Sequence, residues 1–376
     1  MRHILPNAML GLLGGGQLGR LFTLAARAMG YRVTVLDPDP DSPAGSVADV
    51  HLCADYRDRA ALDRLAETCA AATTEFENVP AESLRYLARR VPVRPSAECV
   101  AVAQDRIAEK RYLDGAGFPV APYLAVEREA DLSGDLAAYL PGILKRARLG
   151  YDGKGQRPVA SAAEASAAFQ ALGREPCVLE RLLNLKSEIS VIVARTGPAA
   201  VATFPVAENH HAAGILDLSI VPARIDPRVA ARARELALQL ADALDYRGVL
   251  AVEFFLLGDD RLLVNEIAPR PHNSGHYTLD ACLTSQFEQQ VRTLCGLPPG
   301  DTRLLSPAVM VNLLGDLWRD DPPAWDRLLS EPNVVLHLYG KKEARIGRKM
   351  GHFTVVAEDR DQALAKALEL KRMLRA

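Results

Sequence analysis

The sequence predicts an α/β protein of two or three domains that begins with a parallel-sheet domain. Segments with strand and helix character alternate through about the first hundred residues, which is typical of a parallel sheet with helices on both faces. Farther along, two apolar strands surround turn residues at 258–260 and predict a β-hairpin. At 376 residues, the chain is also long for one domain.

The N-terminal alternation is visible in the spacing of apolar residues. Leu18, Leu21, Phe22 and Ala25 recur at helical spacing, and Gly30 marks the end of that helix. Short apolar runs around it predict buried strands. The predicted strands are 9–13, 32–36 and 72–76, and the predicted helices are 17–29, 60–70 and 80–90.

A glycine motif joins the first strand to the first helix. Residues 14–19, GGGQLG, satisfy G-x-G-x-x-G, and Asp37 ends the next strand. This pattern matches the dinucleotide fingerprint, so a nicotinamide-dependent dehydrogenase is an alternative. A helix N-terminus can also hold another phosphate, and the glycines can serve a purely structural turn. The rest of the chain supplies no hydride-transfer constellation.

The remaining elements are less regular. Short charged helices follow residue 95, and we place a domain boundary near residues 99–106. Apolar periodicity then predicts helices at 162–172, 228–244, 285–295 and 363–374. Further strands are predicted at 309–313, 334–339 and 353–357.

A second phosphate-binding segment lies at residues 145–156, KRARLGYDGKGQ. It is not a Walker A loop, because Lys154 is followed by glycine. Its glycines and its cations, Lys145 and Lys154, are suited to closing over a triphosphate. A surface hairpin with solvated lysines is the structural alternative. Glu180, at the end of an apolar strand, and Glu188 could accept hydrogen bonds from an adenine amine or from ribose hydroxyls.

The hairpin at 249–267 carries two acidic residues. We expect Glu253 to lie roughly opposite Val264, so that Glu266, two residues farther on, points to the same face. Side chains placed in this way are roughly 5 to 8 Å apart. Two carboxylates at that separation can share Mg²⁺, and Glu266 opens directly into a polar Arg-His-Asn-Ser loop. The pair therefore predicts a metal–phosphate site.

Composition excludes several classes of protein. Lys and Arg total 45 and Asp and Glu total 47, so the net charge of −2 argues against a nucleic-acid binder. Six scattered cysteines without a CxxC pair are typical of reduced thiols. No apolar run is long enough to span a membrane, and residues 4–13 run into the glycine motif instead of forming a signal peptide. We therefore expect a soluble, cytoplasmic protein.

Five motifs together resemble the ATP-grasp superfamily and, within it, the N5-carboxyaminoimidazole ribonucleotide synthetase family of purine biosynthesis. They are GGGQLG at 14–19, TEFENV at 74–79, GYDGKGQ at 150–156, NEIAPRPHNSGH at 265–276 and GRKMGH at 347–352. The resemblance covers nearly the whole chain. It implies α/β and α+β architecture: an N-terminal Rossmann-like parallel-sheet domain, a two-lobed ATP-grasp module and a small β-rich C-terminal domain. We expect these at 1–105, 106–300 (lid lobe about 118–185) and 301–376.

The same resemblance implies ATP and Mg²⁺ as cofactors. Glu253 and Glu266 match the magnesium ligands, in agreement with the hairpin. Many ATP-grasp enzymes place an Asn ligand two residues after the second acid, but here that residue is Ala268, so a third ligand must come from elsewhere or be water. The residues that match the ATP site are Arg106, Lys145, Gly150, Tyr151, Asp152, Gly153, Lys154, Gly155, Gln156, Glu180, Arg181, Leu182, Leu183, Glu188, His211, Asn265 and Glu266.

The implied reaction is the ATP-dependent carboxylation of 5-aminoimidazole ribonucleotide by bicarbonate through carboxyphosphate. Such chemistry needs charge neutralisation, positioning and exclusion of water, and no protein nucleophile. The catalytic candidates are Lys145, Lys154, Arg270, His272 and Asn273. His272 and His276 have the i, i+4 spacing of a zinc helix, but Pro271 and Gly275 argue against a helix there. We expect His272 to move protons.

The ribonucleotide carries a phosphate, which requires a second anion site. Residues 341–349 contain five cations and one acid, Glu343. With the overall charge near neutral and no interleaved aromatic residues, we favour a small-phosphate pocket over a nucleic-acid surface. The substrate-binding candidates are Gly16, Gln17, Leu18, Glu75, Asn78, Tyr151, Asp152, Arg270, His272, Asn273, Lys341, Arg345, Arg348 and Lys349.

Three other functions remain open at this point. A dehydrogenase would bind NADH and need no magnesium. A different ATP-grasp ligase, such as a biotin carboxylase or a formate-dependent glycinamide ribonucleotide enzyme, would share the ATP grip and differ in acceptor. A non-catalytic nucleotide-binding protein would not need the two acids and two lysines. The partners expected are small molecules and a second copy of the chain, since the family resemblance implies a homodimer.

Overall fold

The computed structural model describes residues 3–150, 155–318 and 323–374, which build three β-sheets. The first sheet is entirely parallel, with strand order β3-β2-β1-β4, and confirms the predicted N-terminal architecture. Its strands are β1 (Met9–Leu13), β2 (Arg32–Leu36), β3 (Val50–Leu52) and β4 (Ala71–Thr74). The helices of this region are α1 (Gln17–Ala28), α2 (Arg59–Thr68), α3 (Ala81–Ala88) and α4 (Ala97–Ala103).

Apolar side chains cover both faces of this sheet. On one face, α1 packs together with α9 (Gln286–Leu294), a helix that is distant in sequence. On the other face, α2, α3 and α4 form a separate apolar cluster. The core of the N-terminal sheet is therefore completed by a helix from the next part of the chain.

A small antiparallel sheet forms the lobe that follows. Helix α5 (Arg106–Gly115) leads into it, and helix α6 (Ala162–Ala171) packs on one face through Ala165 and Phe169. The strand order is β5-β8-β6-β7. The strands are β5 (Tyr123–Val126), β6 (Gly142–Arg146), β7 (Gln156–Val159) and β8 (Cys177–Arg181).

The third sheet is the largest and joins the rest of the chain. Its order is β14-β13-β9-β11-β12-β15-β17-β16, and β10 pairs with β9. The strands after residue 300 therefore extend the same sheet. The strands are β9 (Leu185–Gly197), β10 (Ala200–Thr203), β11 (Ala207–Ala212), β12 (Ile215–Val221), β13 (Gly248–Leu257), β14 (Leu262–Ala268), β15 (Ala308–Leu314), β16 (Val334–Leu338) and β17 (Lys349–Val356). The remaining helices are α7 (Pro227–Ala243), α8 (Thr278–Ala281), α10 (Trp325–Leu329) and α11 (Arg360–Met373).

Two strands differ from the sequence prediction in a way that matters for the site. Strand β17 begins at Lys349, four residues before the predicted start, because its charged and glycine-containing first half pairs with β15 and β16. Strand β4 ends at Thr74, two residues early, where the Thr74 hydroxyl donates to the carbonyls of Leu13 and Phe76. Among the described residues, no helix is both long and apolar enough to cross a membrane.

Candidate active site

Side chains from all three sheets line one cleft made of two adjoining pockets. The larger pocket, between the N-terminal sheet and the large sheet, has a volume of about 400 Å³. The smaller, beneath the small antiparallel sheet, has a volume of about 260 Å³. Five residues line both pockets and mark their junction: Arg106, His211, Gly214, Glu253 and Glu266.

Glu253 on β13 and Glu266 on β14 lie directly opposite each other at that junction. The predicted register, with Glu253 opposite Val264, is wrong. Val264 pairs with Phe254, and a β-bulge then shifts the register so that Glu266 faces Glu253. A bulge places two residues of one strand against one of its partner, and here Asn265 is the extra residue. The predicted juxtaposition of the two acids is nevertheless found.

Each of the two carboxylates has a basic partner. Arg106 Nη1 donates to Glu266 Oε2 at 2.7 Å, and His272 Nε2 lies 2.9 Å from Glu253 Oε1. Burial by itself would raise the pKa of Glu266, but the charges of Arg106 and Lys145 outweigh it and lower that pKa to about 2. Glu266 is therefore a carboxylate throughout the physiological pH range.

The residues at the junction fit a divalent cation. Glu253 and Glu266 offer hard oxygen donors from two adjacent strands, which is the ligand type that Mg²⁺ prefers. Glu188 and His211 stand beside them: the ligand atoms of Glu188, His211 and Glu253 all lie within 4.8 Å of one another. Burial by itself would lower the pKa of His211. The hydrogen bond between Nδ1 and Glu188, 3.2 Å long, acts in the opposite direction, and the net result is a raised pKa.

The smaller pocket contains a buried carboxylate between two lysines. Glu180 Oε2 accepts a hydrogen bond from Lys145 Nζ at 3.2 Å and lies 3.7 Å from Lys110 Nζ. These cations overcome burial and lower the pKa of Glu180. Its Oε1 atom is buried and has no hydrogen-bond partner in the described part of the chain. An unused acceptor in a pocket suits a ligand with an N–H or O–H group. Arg181, Leu182, Leu183, Glu188 and Asn265 line the same pocket, as predicted, and so does Gln156.

Helix α5 contributes two buried charges that the sequence analysis missed. Lys110 Nζ donates to the Asn265 carbonyl at 2.8 Å, and Glu109 Oε1 accepts from the Ile267 amide at 2.6 Å. Both residues hold β14 on either side of Glu266. Burial and the nearby Glu266 charge raise the pKa of Glu109 to about 8. Charged residues occur at both buried and exposed positions of this helix, so charge by itself does not distinguish the buried Glu109 and Lys110 from the others.

In the larger pocket, the carboxylate of Glu75 lies against the backbone of the glycine motif. Its carboxylate accepts hydrogen bonds from the amides of Gly16 at 2.6 Å and Gly19 at 2.7 Å. Burial raises the pKa of Glu75, and these two amides offset the effect only in part. Gly16, Gln17, Leu18, Glu75 and Asn78 all line the pocket, so the structure brings this predicted group together.

Asp37 does not take the role that the dinucleotide fingerprint gives it. Its Oδ2 accepts from the Gly15 amide and from the Tyr56 hydroxyl, both at 2.6 Å, and Oδ1 accepts from the Asp39 amide at 2.9 Å. Both oxygens of this carboxylate are therefore engaged in holding the loop. The glycine motif is therefore a self-contained turn that presents α1 to the larger pocket, and the dehydrogenase interpretation loses its ribose ligand.

The loop after β14 lines the larger pocket with Arg270, His272 and Asn273. Arg270 Nε donates to Glu77 Oε2 at 2.5 Å, and this partner outweighs burial and raises the pKa of Arg270. Glu77 was not predicted as a site residue, although it lies in the TEFENV motif. His272 bridges Glu253 and Ser274, whose hydroxyl is 2.8 Å from Nδ1.

Asn273 is more restrained than predicted. It lines the larger pocket, but its side-chain amide is paired in both directions with Asn312 of β15, at 3.1 and 2.8 Å. This pairing fixes the loop, and it engages both the oxygen and the nitrogen of the Asn273 side-chain amide. Asn312 was also missed, although a polar residue within the apolar run VMVNLL is a signal that could have found it.

The basic C-terminal segment contributes only part of the predicted set. Lys341 and Lys349 line the larger pocket, and Lys341 Nζ donates to Gln17 Oε1 at 2.6 Å. Arg345 and Arg348 are not among its lining residues: Arg345 Nε donates to the Glu343 carboxylate and Arg348 Nη1 to the Glu343 carbonyl. The Glu343 carboxylate thus holds Arg345, and the Glu343 backbone carbonyl holds Arg348.

The remaining predicted residues belong to the glycine-rich loop. Gly150 lines the larger pocket beside Leu149, while Gly155 adopts a positive φ of 73° and packs against Arg146. Tyr151, Asp152, Gly153 and Lys154, predicted to contact ATP or substrate, lie outside the described residues. His276 does not accompany His272 into the cleft. Its ring is fully buried behind the loop, and Nδ1 is 3.2 Å from Gln286 Nε2.

Comparison with known proteins matches three family models to successive parts of the chain. A ribonucleotide synthetase preATP-grasp domain matches residues 8–104, an ATP-grasp domain matches 111–287, and a phosphoribosylaminoimidazole carboxylase C-terminal domain matches 308–366. The N5-carboxyaminoimidazole ribonucleotide synthase of Bacillus subtilis (strain 168) is 47% identical over 363 residues, covering 96% of this chain and 94% of that protein.

Solved structures agree with the sequence relatives. The ADP complex of an N5-carboxyaminoimidazole ribonucleotide synthetase superimposes with a TM-score of 0.93 and 43% identity, over 99% of this chain and 98% of the other. The Aspergillus clavatus synthase, in complex with ADP and 5-aminoimidazole ribonucleotide, gives a TM-score of 0.90 at 33% identity, over 98% of this chain and 99% of the other.

Proposed function

This chain belongs to the N5-carboxyaminoimidazole ribonucleotide synthase family of ATP-grasp enzymes, and from that membership we propose how its cleft divides the work of the reaction. It is an ATP-dependent carbon–nitrogen ligase of purine biosynthesis that carboxylates 5-aminoimidazole ribonucleotide. The observation that carries our assignment is the position of Glu253 and Glu266 at the junction of two pockets. A nucleotide in each pocket would meet at these two acids.

The smaller pocket is the proposed ATP site. Its buried Glu180 Oε1 offers an unused acceptor, which suits the amine or a hydroxyl of adenosine. Lys145 bonds the other oxygen of Glu180 and its charge lowers the pKa of Glu266, so it can neutralise phosphate charge in this pocket. Lys154 and the neighbouring loop residues would close over the phosphates, as the sequence motif predicts.

Magnesium is the proposed metal at the junction, held by Glu253 and Glu266. When bound there, it would neutralise phosphate charge. Ala268 offers no side-chain ligand, so a further ligand must come from elsewhere. Glu188 and His211 lie close enough to Glu253 to supply it. Arg106 keeps Glu266 ionised and therefore ready to bind a cation.

Bicarbonate is the proposed carboxyl donor. One of its oxygens attacks the γ-phosphorus of ATP, ADP leaves, and carboxyphosphate forms. The exocyclic amine of the ribonucleotide then forms a bond to the carboxyl carbon, the bond from carbon to the phosphate oxygen breaks, and phosphate leaves. The proton that the amine gives up passes to His272 or to the departing phosphate. Arg270, held by Glu77, would bind these anions at the wall of the larger pocket.

The larger pocket is the proposed ribonucleotide site. Lys341 and Lys349 supply positive charge for its phosphate, with the Gln17 side chain held by Lys341. Glu75 and Asn78 face the same space and can bind ribose hydroxyls or the imidazole amine. Tyr151, Asp152, Arg345 and Arg348 remain proposals for this site.

Three further properties stay proposals. A homodimer follows from the sequence resemblance alone. A cytoplasmic location is consistent with an ATP-consuming reaction and with six cysteines that are all free thiols. The domain division at 1–105, 106–300 and 301–376 is proposed as the unit structure of the chain.

The test is phosphate release from Mg-ATP by the purified protein, with the ribonucleotide and bicarbonate added separately and together. We expect turnover that depends on the ribonucleotide and yields an acid-labile carboxylated product. Activity with another amine or carboxylate and silence with this ribonucleotide would keep the ATP-grasp site and reject the substrate. Absence of ATP hydrolysis under every condition would reject the assignment of the two acids.

A further inference from the structure

Three histidine rings lie against one another behind the loop that follows β14. The His352 ring is 4.8 Å from that of His276 and 4.7 Å from that of His337, measured between centroids. Asp280 of α8 joins them, since its Oδ1 is 2.9 Å from His337 Nε2. We call these four residues the histidine cluster. None of them lines either pocket of the cleft, so the proposed reaction does not use them.

Several polar atoms of the histidine cluster have nothing to bond. His276 Nε2, Asp280 Oδ2 and His352 Nε2 are all buried without a hydrogen-bond partner among residues 3–150, 155–318 and 323–374. His276 and His352 are 0% exposed. Buried polar atoms in folded proteins are nearly always paired, so three unpaired atoms in one contact group call for an explanation. An ion bound by Asp280, His337 and His352 would satisfy two of them, Asp280 Oδ2 and His352 Nε2.

The chemistry of these atoms favours a metal ion. Ligand atoms of Asp280, His337 and His352 all lie within 4.8 Å of one another, before any ion draws them together. Two imidazoles and one carboxylate are a typical three-ligand set for zinc, with a fourth position left open. Mg²⁺ prefers oxygen ligands, so this nitrogen-rich set differs from the acids of the cleft.

The surroundings of His352 support the same conclusion. Its Nδ1 lies 2.8 Å from the Tyr339 hydroxyl. If Nδ1 carries the proton and donates it to this oxygen, Nε2 keeps a lone pair, which is how metal-binding histidines are usually oriented. The His337 side chain is 23% exposed and gives an ion a way in.

We propose that Asp280, His337 and His352 form a binding site for a transition-metal cation of the Zn²⁺ class. The ion would connect strands β16 and β17 to helix α8, and through His276 it would back the loop that carries Arg270 and His272. Its role is structural, since the cluster lies outside the cleft.

The experiment uses full-length protein that has been stripped with a chelator and then saturated with Mg-ADP, so that the acids of the cleft are occupied. Calorimetric titration with Zn²⁺ measures stoichiometry, and Co²⁺ reports its ligands through visible absorption. We expect one ion per chain. Asp280→Asn and His337→Gln should each weaken binding by about tenfold or more, since each removes or weakens one of three ligands. His210→Gln, which removes an exposed histidine elsewhere, should leave binding unchanged.

Each outcome decides the proposal. Failure of the stripped wild-type protein to bind Zn²⁺ or Co²⁺ stoichiometrically would overturn it and leave the cluster as packed, hydrated imidazoles. Wild-type affinity in both the Asp280 and the His337 variants would also overturn it. Loss of binding in His211→Gln would in that case place the ion at Glu188 and Glu253. Thermal unfolding in chelator shows whether each variant is folded. The cobalt spectrum of the wild-type protein tests the proposal without relying on any variant.

Discussion

Glu266 is subject to opposing influences on its charge, and the outcome decides what the site can do. Burial favours the protonated form, yet Arg106 at 2.7 Å and Lys145 lower its pKa to about 2. The neighbouring Glu109 shows the reverse, with a pKa raised to about 8, because it is buried next to that negative charge. One carboxyl is thus kept ionised to bind a cation, while the other is protonated near neutral pH.

Removing either acid at the pocket junction should abolish most turnover. We expect Glu253→Gln and Glu266→Gln each to lower kcat by at least about 100-fold, because a metal at phosphate is worth several kcal/mol of charge stabilisation. The measurement is steady-state phosphate release with increasing Mg²⁺. Glu98→Gln, on an exposed surface residue, is the control and should retain wild-type rates. Full activity of both junction variants would mean that the metal binds elsewhere.

Lys341 and Lys342 form a matched pair for testing the phosphate pocket. Lys341 lines the larger pocket and bonds Gln17, whereas Lys342 pairs with Asp41 on an exposed surface. We expect Lys341→Met to raise the KM for the ribonucleotide by about tenfold or more, the scale of one charge-assisted contact, and to spare the KM for ATP. Lys342→Met should change neither constant. An effect confined to ATP would show that the two pockets have been assigned the wrong way round.

At the scale of elements, the N-terminus of α1 is built around Glu75. Its carboxylate bonds the amides of Gly16 and Gly19, a position where helix N-termini commonly hold anions. A Cβ at residue 16 would overlap the Glu75 carboxylate, while the Gly16 φ of −75° is one that alanine adopts readily. Glycine is therefore required at residue 16 because Glu75 approaches so closely. The backbone conformation there would allow any residue.

Gly16→Ala should displace Glu75 without unfolding the sheet. We expect a higher KM for the ribonucleotide, by about tenfold, and a stability loss of no more than about 1–2 kcal/mol, because the end of a flexible side chain can move aside. Ligand titration and chemical denaturation measure the two effects separately. An unchanged KM would show that Glu75 has no contact with the ribonucleotide.

Acid should weaken the packing between β16, β17 and the loop after β14. Burial lowers the pKa of His276 and His352, so both are neutral when folded, while unfolded histidines take up protons below about pH 6.5. The unfolded state then binds more protons, so this contribution to stability is present above that pH and is lost as the pH falls. His211 has a raised pKa and acts in the opposite direction, its contribution fading as the pH rises.

The check is urea denaturation at pH 7.5 and pH 5.5, in chelator, for wild type and His276→Phe. We expect the wild type to lose more stability on acidification than the variant does, because the variant has one fewer histidine to protonate on unfolding. Equal losses in both proteins would mean that His276 can be protonated in the folded state.

At the scale of the whole molecule, the N-terminal sheet shares its core with a helix from the ATP-grasp region. Phe287, Val291 and Leu294 of α9 pack with Phe22 and Val33. Polar contacts reinforce this interface: Gln290 Nε2 donates to Thr73 Oγ1 at 3.1 Å, and Arg94 donates to the Thr293 carbonyl. The larger pocket is lined by residues of both parts of the chain, so its geometry depends on how the two parts are held together.

Leu294→Ala should therefore destabilise the whole molecule. We expect a loss of about 2–5 kcal/mol, as for other buried Leu to Ala changes, within one cooperative transition. Leu24→Ala, on the 43% exposed face of α1, is the control and should cost less than about 0.5 kcal/mol. Two separate transitions in the Leu294 variant would show that the N-terminal sheet folds independently of α9.

The sequence alone determined the alternation of strands and helices in the N-terminal sheet apart from the short strand β3, the family and the two acids, because these depend on local periodicity and on contiguous motifs. The bulge at Asn265, the register of β13 with β14 and the recruitment of Glu77, Glu109, Lys110 and Asn312 depended on which distant surfaces meet. Likewise, only the fold showed that the Glu343 carboxylate holds Arg345, that the Glu343 carbonyl holds Arg348, and that Asp37 bonds within the glycine loop. Buried polar partners are selected by desolvation and contact across the chain, and neither quantity is present in a linear spacing.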